Sequence, residues 1–133
     1  MPVIELQKKR TNKDRGYKPL PDTPNEWCQE IYASALWRRL RRSYLMSHPL
    51  CEIHLLNDGV KSSEDVHHIH PVSDAATKLE AYDIAYDSRN LMALCHECHQ
   101  RYHAINHSRH AISKDDLKFL NKYKELCNKK NGN

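Results

Sequence analysis

The chain has 133 residues, of which 39% are hydrophobic, and its mean hydropathy is -0.85. The stabilisation from buried apolar surface is therefore small compared with the conformational entropy that the chain loses on folding. A bound structural metal ion is the expected additional source of stability. The formal net charge of +4 favours polyanionic partners. No apolar run approaches the length needed to cross a bilayer, which excludes a membrane-spanning helix.

The five cysteines argue for metal binding rather than for disulfides. Their number is odd, and the N-terminal residues do not have the pattern of a signal peptide. We therefore expect a protein of the reducing cytoplasm, where clustered cysteines more often hold a metal ion. Cys28 and Cys127 fall at intervals typical of apolar helix faces, so we interpret both as core thiols.

Residues 1–24 contain four of the six prolines and show no apolar periodicity, which predicts a basic, flexible arm. Residues 25–133 are then a single domain. Asn25 is expected to cap a helix that runs to about Met46, with Trp27 and Ile31 on its apolar face.

A cluster of arginines lies on this predicted helix: Arg38, Arg39, Arg41 and Arg42. Two interpretations compete. The arginines are either a solvated helix face or a surface that contacts phosphates. The second interpretation is favoured only if the rest of the chain points to nucleic acid.

Short extended segments are predicted for residues 50–54 and 65–71, separated by a turn at Asn57-Asp58-Gly59. Residues 72–89 form a polar connection, and residues 91–102 have the pattern of a knuckle that continues into a helix.

A final helix is predicted from about Lys114 to Lys129. Three leucines are expected near one face of it, with two aromatic residues flanking them: Leu117, Leu120 and Leu126, with Phe119 and Tyr123.

A zinc site is indicated by two pairs of ligands with the same short spacing. Cys95 and Cys98 are three residues apart, which lets a tight knuckle direct both sulfurs at one tetrahedral ion. Cys51 and His54 repeat this spacing about forty residues earlier and complete a Cys3His set. Such a closed site contributes folding free energy that a small core cannot supply.

A second set of nitrogen ligands lies in two other segments. His99 and His103 are four residues apart, so a helix would place both imidazoles on one face, where they can hold one ion. His67 and His68 are neighbours, and in a strand their side chains point to opposite faces. Either His67 joins the helical pair while His68 faces the substrate, or the reverse.

Three ordered elements within residues 50–103 carry a family resemblance: Val66-His67-His68-Ile69-His70-Pro71, then Asn90, then Cys95-His96-Glu97-Cys98-His99 continuing to His103. This pattern resembles the HNH endonuclease family, also called the ββα-metal fold, and is similar to small phage-type stand-alone HNH nucleases. The resemblance implies an α+β fold. Its small, treble-clef-like ββα-metal core would contain a structural zinc knuckle and be flanked by N-terminal and C-terminal helices.

The resemblance also implies a role for each residue of the motif. His67 and His99 would bind the catalytic metal, His68 would be the general base, and Asn90 would brace the loop that carries the base. The helical spacing of His103 from His99 suggests a third ligand, as in the bacterial nuclease toxins of this superfamily. His54 departs from the family, in which the second zinc ligand is usually cysteine.

These roles predict a DNA endonuclease with a structural Zn²⁺ and one catalytic divalent ion, which is Mg²⁺, Mn²⁺, Ni²⁺ or Zn²⁺. With one site per chain, it would nick DNA as a monomer, and the arginine cluster would contact the DNA backbone. The resemblance further suggests a phage protein that works in the bacterial host cytoplasm, where phage packaging (terminase) proteins would be partners. The rival interpretations are a zinc-knuckle module that binds nucleic acid without cutting it and a packaging accessory protein.

Overall fold

The computed structural model describes residues 23–131. Within this range it contains six α-helices and two β-strands: α1 (Pro24–Ala33), α2 (Ala35–Ser47), α3 (Glu52–Leu56), β1 (Asp65–His68), α4 (Lys78–Tyr86), β2 (Leu91–Leu94), α5 (His96–Asn106) and α6 (Lys114–Lys130). Short 3₁₀ turns at Val72–Asp74 and Ser88–Asn90 flank α4. The order β1, β2, α5 is the predicted ββα core, and the α+β class is confirmed.

The two strands form an antiparallel pair that is covered on both faces. Asp65 lies opposite Leu94 and His68 lies opposite Leu91, and successive side chains alternate between the two faces. One face, with Val66, Leu91 and Ala93, packs against Trp37 and Tyr44 of α2. The other face supplies Met92 and Leu94 to the core formed with α3, α5 and α6. His67 and His68 therefore belong to different sides of the sheet.

The predicted N-terminal helix is corrected to two helices that meet at Ser34. Ser34 has extended dihedral angles, φ -75° and ψ 150°. Its hydroxyl donates to the carbonyl of Ile31 at 2.6 Å and accepts from the amide of Trp37 at 3.1 Å. This serine therefore ends α1 and caps α2.

The start of α1 also differs from the prediction. Thr23, rather than Asn25, is the N-cap, and its hydroxyl accepts from the amide of Glu26 at 3.3 Å, with Pro24 in the first helical position. Residues 1–22 of the predicted arm lie outside the described residues.

The segment predicted as extended at residues 50–54 is instead helical from Glu52. Cys51 is the N-cap of α3, and only Leu50 retains a strand-like contact, an isolated bridge to Ser62. The helix ends in the predicted turn, where Asp58 adopts a positive φ of 58°. Asp tolerates this conformation because its short polar side chain can hydrogen-bond locally.

The buried face of α6 is aromatic, which corrects the predicted leucine face. Phe119, Tyr123 and Leu126 are buried and join the core below the sheet, whereas Leu117 is 50% exposed. Positions 119, 123 and 126 follow the spacing of four and three that makes one stripe on a helix, and Leu117 falls off that stripe.

Cys28 and Cys127 are half-buried and pack against hydrophobic clusters, as predicted for core thiols. Among residues 23–131, no helix combines the length and the apolar character that crossing a membrane requires.

Candidate functional site

The four predicted zinc ligands converge at the starts of two helices. Cys51 and Cys95 are the N-cap residues of α3 and α5, and His54 and Cys98 follow three residues later in the first turn of each helix. The ligand atoms of all four lie within 4.8 Å of one another. The equal spacing seen in the sequence is thus one local geometry used twice.

The surroundings of these ligands suit a closed metal site. Cys51 and Cys95 are fully buried and Cys98 is 6% exposed. His54 Nδ1 lies 3.7 Å from Cys95 Sγ and 3.5 Å from Cys98 Sγ. A hydrogen bond with Cys98 lowers the pKa of the Cys51 thiol and raises that of Cys98, so Cys51 is the first of the two to form the thiolate that zinc requires. Three sulfurs and one imidazole are a donor set that Zn²⁺ takes, so the residues fit a structural zinc ion.

Three histidines form a second convergent cluster at the core of the ββα unit. The ligand atoms of His67, His99 and His103 lie within 4.8 Å of one another. His99 and His103 are one turn apart on α5, and their Nε2 atoms are 3.0 Å apart. Since a metal–imidazole bond is about 2.0–2.1 Å long, two nitrogens that bind one ion lie about 3 Å apart. The cluster therefore fits one divalent metal ion.

His67 is held below the sheet by aromatic residues. It is 5% exposed, and its Nε2 lies 2.8 Å from the hydroxyl of Tyr123 on α6. The ring of Tyr102 stands edge-on to it at 4.8 Å. Burial lowers the pKa of His67 to about 3, so the imidazole is neutral at pH 7, which is the form that binds a metal ion.

An acidic residue that the sequence analysis missed contacts this cluster. Asp65 Oδ2 lies 3.0 Å from His99 Nδ1 and 2.9 Å from His96 Nδ1. Asp65 is two residues before His67 on the same strand face, so strand periodicity could have indicated it. No comparable sequence signal pointed to Tyr123, because it reaches His67 from a distant helix.

His68 lies on the other side of the sheet, beneath the N-terminal helices. Its ring stacks on Trp37 with centroids 4.7 Å apart, and its Nδ1 is 3.3 Å from the hydroxyl of Tyr32. Its Nε2 is 3.1 Å from the carbonyl oxygen of Ala85. His68 is 7% exposed and has no hydrogen bond or ring contact with the three clustered histidines. The structure therefore brings His67, His99 and His103 together, but not His68.

The contacts of His68 define its protonation. A carbonyl oxygen only accepts hydrogen bonds, so Nε2 of the neutral ring carries the proton and donates it to Ala85. Nδ1 then holds the lone pair, which accepts from Tyr32. Burial lowers the pKa of His68, and the hydrogen bond to Ala85 opposes this shift.

Asn90 clamps the chain that leaves β1. Its side-chain oxygen accepts from the amide of His70 at 2.8 Å, and its side-chain nitrogen donates to the carbonyl of His70 at 3.0 Å. The same nitrogen donates to the carbonyl of Ile84 at 3.1 Å. Ile84 and Ala85 lie in the last turn of α4, where carbonyls have no partner within the helix. One helix end thus supports both Asn90 and His68.

The four arginines are all exposed on α2: Arg38, Arg39, Arg41 and Arg42. Arg41 donates to the backbone carbonyl of Glu64 at 2.9 Å. None of the four forms an ion pair with a carboxylate of residues 23–131. Their charge is therefore available to an external anion. The same helix, α2, carries Trp37, which stacks on His68.

Comparison with known proteins agrees with this geometry. No curated protein matches the chain, but the model of the HNH endonuclease family matches residues 50–104. The crystal structure of the deep-sea thermophilic bacteriophage GVE2 HNH endonuclease with manganese ion is similar to this chain, with a TM-score of 0.55 and 27% sequence identity. That similarity covers 66% of this chain and 90% of the phage chain. The chain carries an HNH endonuclease domain.

The HNH domain spans β1, β2, most of α5 and both clusters of metal-ligand residues. The predicted family, the endonuclease class and the ββα core are thus confirmed, which favours a nuclease over a module that only binds nucleic acid. Tyr32 and Trp37, which cover His68, lie before the matched residues. The residues that bury His68 therefore belong to α1 and α2, which precede the HNH domain in the sequence.

Proposed function

We propose that this HNH nuclease hydrolyses phosphodiester bonds of DNA with one divalent metal ion bound by His67, His99 and His103. The observation that carries the proposal is the convergence of these three imidazoles, one from β1 and two from α5. When bound, the ion supplies Lewis-acid stabilisation of the phosphate and the leaving oxygen. Manganese is the first candidate, because the similar phage endonuclease contains it; Mg²⁺, Ni²⁺ and Zn²⁺ are the alternatives.

We propose His68 as the general base; because its side chain lies on the opposite face of β1 from the histidine cluster, this role requires the scissile phosphate to lie at the end of the strand, where His67 and His68 are neighbours. Its Nε2–H is held by the carbonyl of Ala85, which leaves Nδ1 as the nitrogen that takes a proton from the attacking water. The hydroxyl of Tyr32 occupies this nitrogen in the structure. Water therefore reaches Nδ1 only when Tyr32 turns away, and its 46% exposure leaves it room to do so.

Asn90 and the arginines complete the proposed site. Asn90 holds the backbone of His70 from both sides and so fixes the loop that follows the base. Arg38, Arg39, Arg41 and Arg42 are proposed to contact DNA phosphates, which positions a nuclease without reading sequence. Cys51, His54, Cys95 and Cys98 are proposed to bind a structural Zn²⁺ that joins α3 to α5.

A single histidine cluster among residues 23–131 predicts nicking by a monomer. A role beside packaging (terminase) proteins in a phage-infected cell stays a prediction, since no described residue identifies such a partner.

The test is cleavage of supercoiled plasmid by purified wild type and His68→Ala, with EDTA and with each divalent ion added back. We expect the wild type to convert supercoiled to open-circular DNA only with a metal ion. His68→Ala should be slower by about a hundred- to ten-thousand-fold, the usual worth of a general base. His48→Ala is the control, because His48 stacks on Tyr44, away from the histidine cluster. Equal nicking by wild type and His68→Ala would reject His68 as the base.

A further inference from the structure

The carboxylate of Asp65 contacts one residue of the histidine cluster, His99, and is not itself one of the clustered groups. Its side chain and that of His99 are each only 25% exposed, and Asp65 Oδ2 lies 3.0 Å from His99 Nδ1. An ionised carboxylate is only an acceptor, so this contact requires the proton of a neutral His99 to be on Nδ1. The lone pair of His99 is then on Nε2.

The direction of Nε2 agrees with this assignment. The Nε2 atom of His99 is the one that lies 3.0 Å from Nε2 of His103. The nitrogen opposite Asp65 is therefore the nitrogen that points into the cluster. A metal-binding histidine typically donates its other N–H to a carboxylate, carbonyl or water, which fixes the tautomer and raises the basicity of the ligand.

We propose that Asp65 is a positioning residue that sets the tautomer and orientation of His99 for metal binding. This inference rests on the proposed metal site and adds a residue outside the three motif segments. Backbone geometry makes it possible: Asp65 begins β1 and pairs with Leu94, the last residue of β2, immediately before the knuckle that starts α5. The same strand thus supplies the ligand His67 and the group that orients His99.

His96 provides a built-in comparison. Its Nδ1 contacts the same oxygen, Asp65 Oδ2, at 2.9 Å, but its side chain is 59% exposed and it is not part of the histidine cluster. If Asp65 acts through His99, removing His96 leaves the metal site intact. If the carboxylate serves only to hold the start of α5 against β1, both histidines share that function. Asp65→Ala and His96→Ala would then change the metal affinity to a similar extent.

The first experiment measures Mn²⁺ affinity of the full-length zinc-containing protein by electron paramagnetic resonance of the free ion. Manganese is the probe because it prefers oxygen and nitrogen ligands and does not compete for the thiolate site. We expect Asp65→Ala to weaken Mn²⁺ binding by about 10–100-fold, the usual effect of losing such a partner. The Mn²⁺ affinity of His96→Ala should stay within about twofold of wild type. The same is expected for the control Asp116→Asn, because the carboxylate of Asp116 pairs with Arg101 and not with a histidine.

The second experiment reads the tautomer without added metal, from two-bond ¹H–¹⁵N correlations of the histidine rings, with His99 assigned by His99→Gln. We expect the proton on Nδ1 of His99 in the wild type and a mixture or the Nε2 form in Asp65→Ala. Retention of one zinc ion per chain shows that the variant is folded.

Three outcomes decide between the inference and the proposed function. A wild-type proton on Nε2, or an Asp65→Ala variant with unchanged tautomer and Mn²⁺ affinity, would overturn the role of Asp65 while leaving the metal site in place. Loss of affinity in His96→Ala equal to that in Asp65→Ala would show a purely structural role. If the wild type binds no Mn²⁺, or binds Mn²⁺ equally well after His99→Gln, the proposed metal site fails. The tautomer of His99 alone then decides whether Asp65 orients this residue.

Discussion

Tyr32 controls the proposed base more directly than any other side chain near it. Its hydroxyl is hydrogen-bonded to Nδ1 of His68 at 3.3 Å, and its ring packs edge-on against Trp37 at 5.6 Å. A base whose lone pair already accepts a hydrogen bond must lose that bond before it can accept a proton from water. The hydroxyl therefore lowers the fraction of molecules in which His68 is available.

Tyr32→Phe should raise the rate of plasmid nicking. The variant keeps the ring contact with Trp37 and removes only the hydroxyl that competes for His68. A typical net hydrogen bond of about 0.5–1.5 kcal/mol corresponds to an increase of roughly 2–10-fold, measured as single-turnover rate at saturating metal.

Tyr82→Phe is the matched control for this experiment. Tyr82 of α4 likewise has a hydroxyl that forms a hydrogen bond, to Glu30 of α1 at 3.2 Å, and no hydrogen bond or ring contact of Tyr82 involves His68. We expect no change in nicking rate for this variant. A Tyr32→Phe enzyme that is slower than wild type would contradict the account, because the hydroxyl would then assist the base instead of occupying it.

The individual residues show which parts of the site a sequence can reveal. The ligands Cys95 and Cys98 could be predicted because their spacing is local and one helix start determines their geometry. His99 and His103 could be predicted for the same reason. The cover of Tyr32 over His68 could not, since it depends on how α1 packs 36 residues away in sequence.

A buried charge network ties the C-terminal helix to the nuclease core. Glu52 of α3 pairs with Lys130 of α6 at 2.7 Å, and the side chains are only 12% and 15% exposed. Glu52 also accepts from the amide of Ala93 at 2.6 Å and from the hydroxyl of Tyr44 at 3.1 Å. Four elements, α2, α3, β2 and α6, therefore depend on one carboxylate.

Glu52→Ala should destabilise the protein strongly. It leaves the charge of Lys130 without its partner in a largely buried position, and such losses typically cost about 3–5 kcal/mol of unfolding free energy. Urea unfolding of the zinc-containing protein measures the change. Glu125→Ala removes an exposed ion pair with Lys122 on the same helix and should change stability by at most about 1 kcal/mol. Similar losses for the two variants would mean that the network has no special role.

The helices illustrate a second limit of prediction from sequence. The existence of α5 and α6 followed from periodicity, but the break at Ser34 did not. A serine is tolerated inside a helix, and only its actual hydrogen bonds to Ile31 and Trp37 reveal it as the cap of a new one. The buried face of α6 was also misjudged, because Phe119 and Tyr123 are selected by the tertiary contacts of the core.

At the scale of the whole molecule, the two-stranded sheet separates two environments. The face that carries Met92 and Leu94 is on the side of the zinc-ligand residues, the histidine cluster and α6. The opposite face is on the side of His68, α2 and the exposed arginines. The ββα core follows from the motif spacing of residues 50–103, whereas the covering helices add the burial of His67 and His68. The fold thus holds both clusters in one domain although apolar residues make up only 39% of the chain.

Two metal ions are predicted to bind at these two clusters, each with a different set of ligands. Crystals of the full-length protein grown with Mn²⁺ test this prediction through anomalous difference maps recorded above and below the zinc absorption edge. We predict one zinc ion bonded to Cys51, His54, Cys95 and Cys98, with sulfur distances of about 2.3 Å. A manganese ion should be bonded to His67, His99 and His103. An empty histidine cluster, or an ion there that His67 does not contact, would contradict the account.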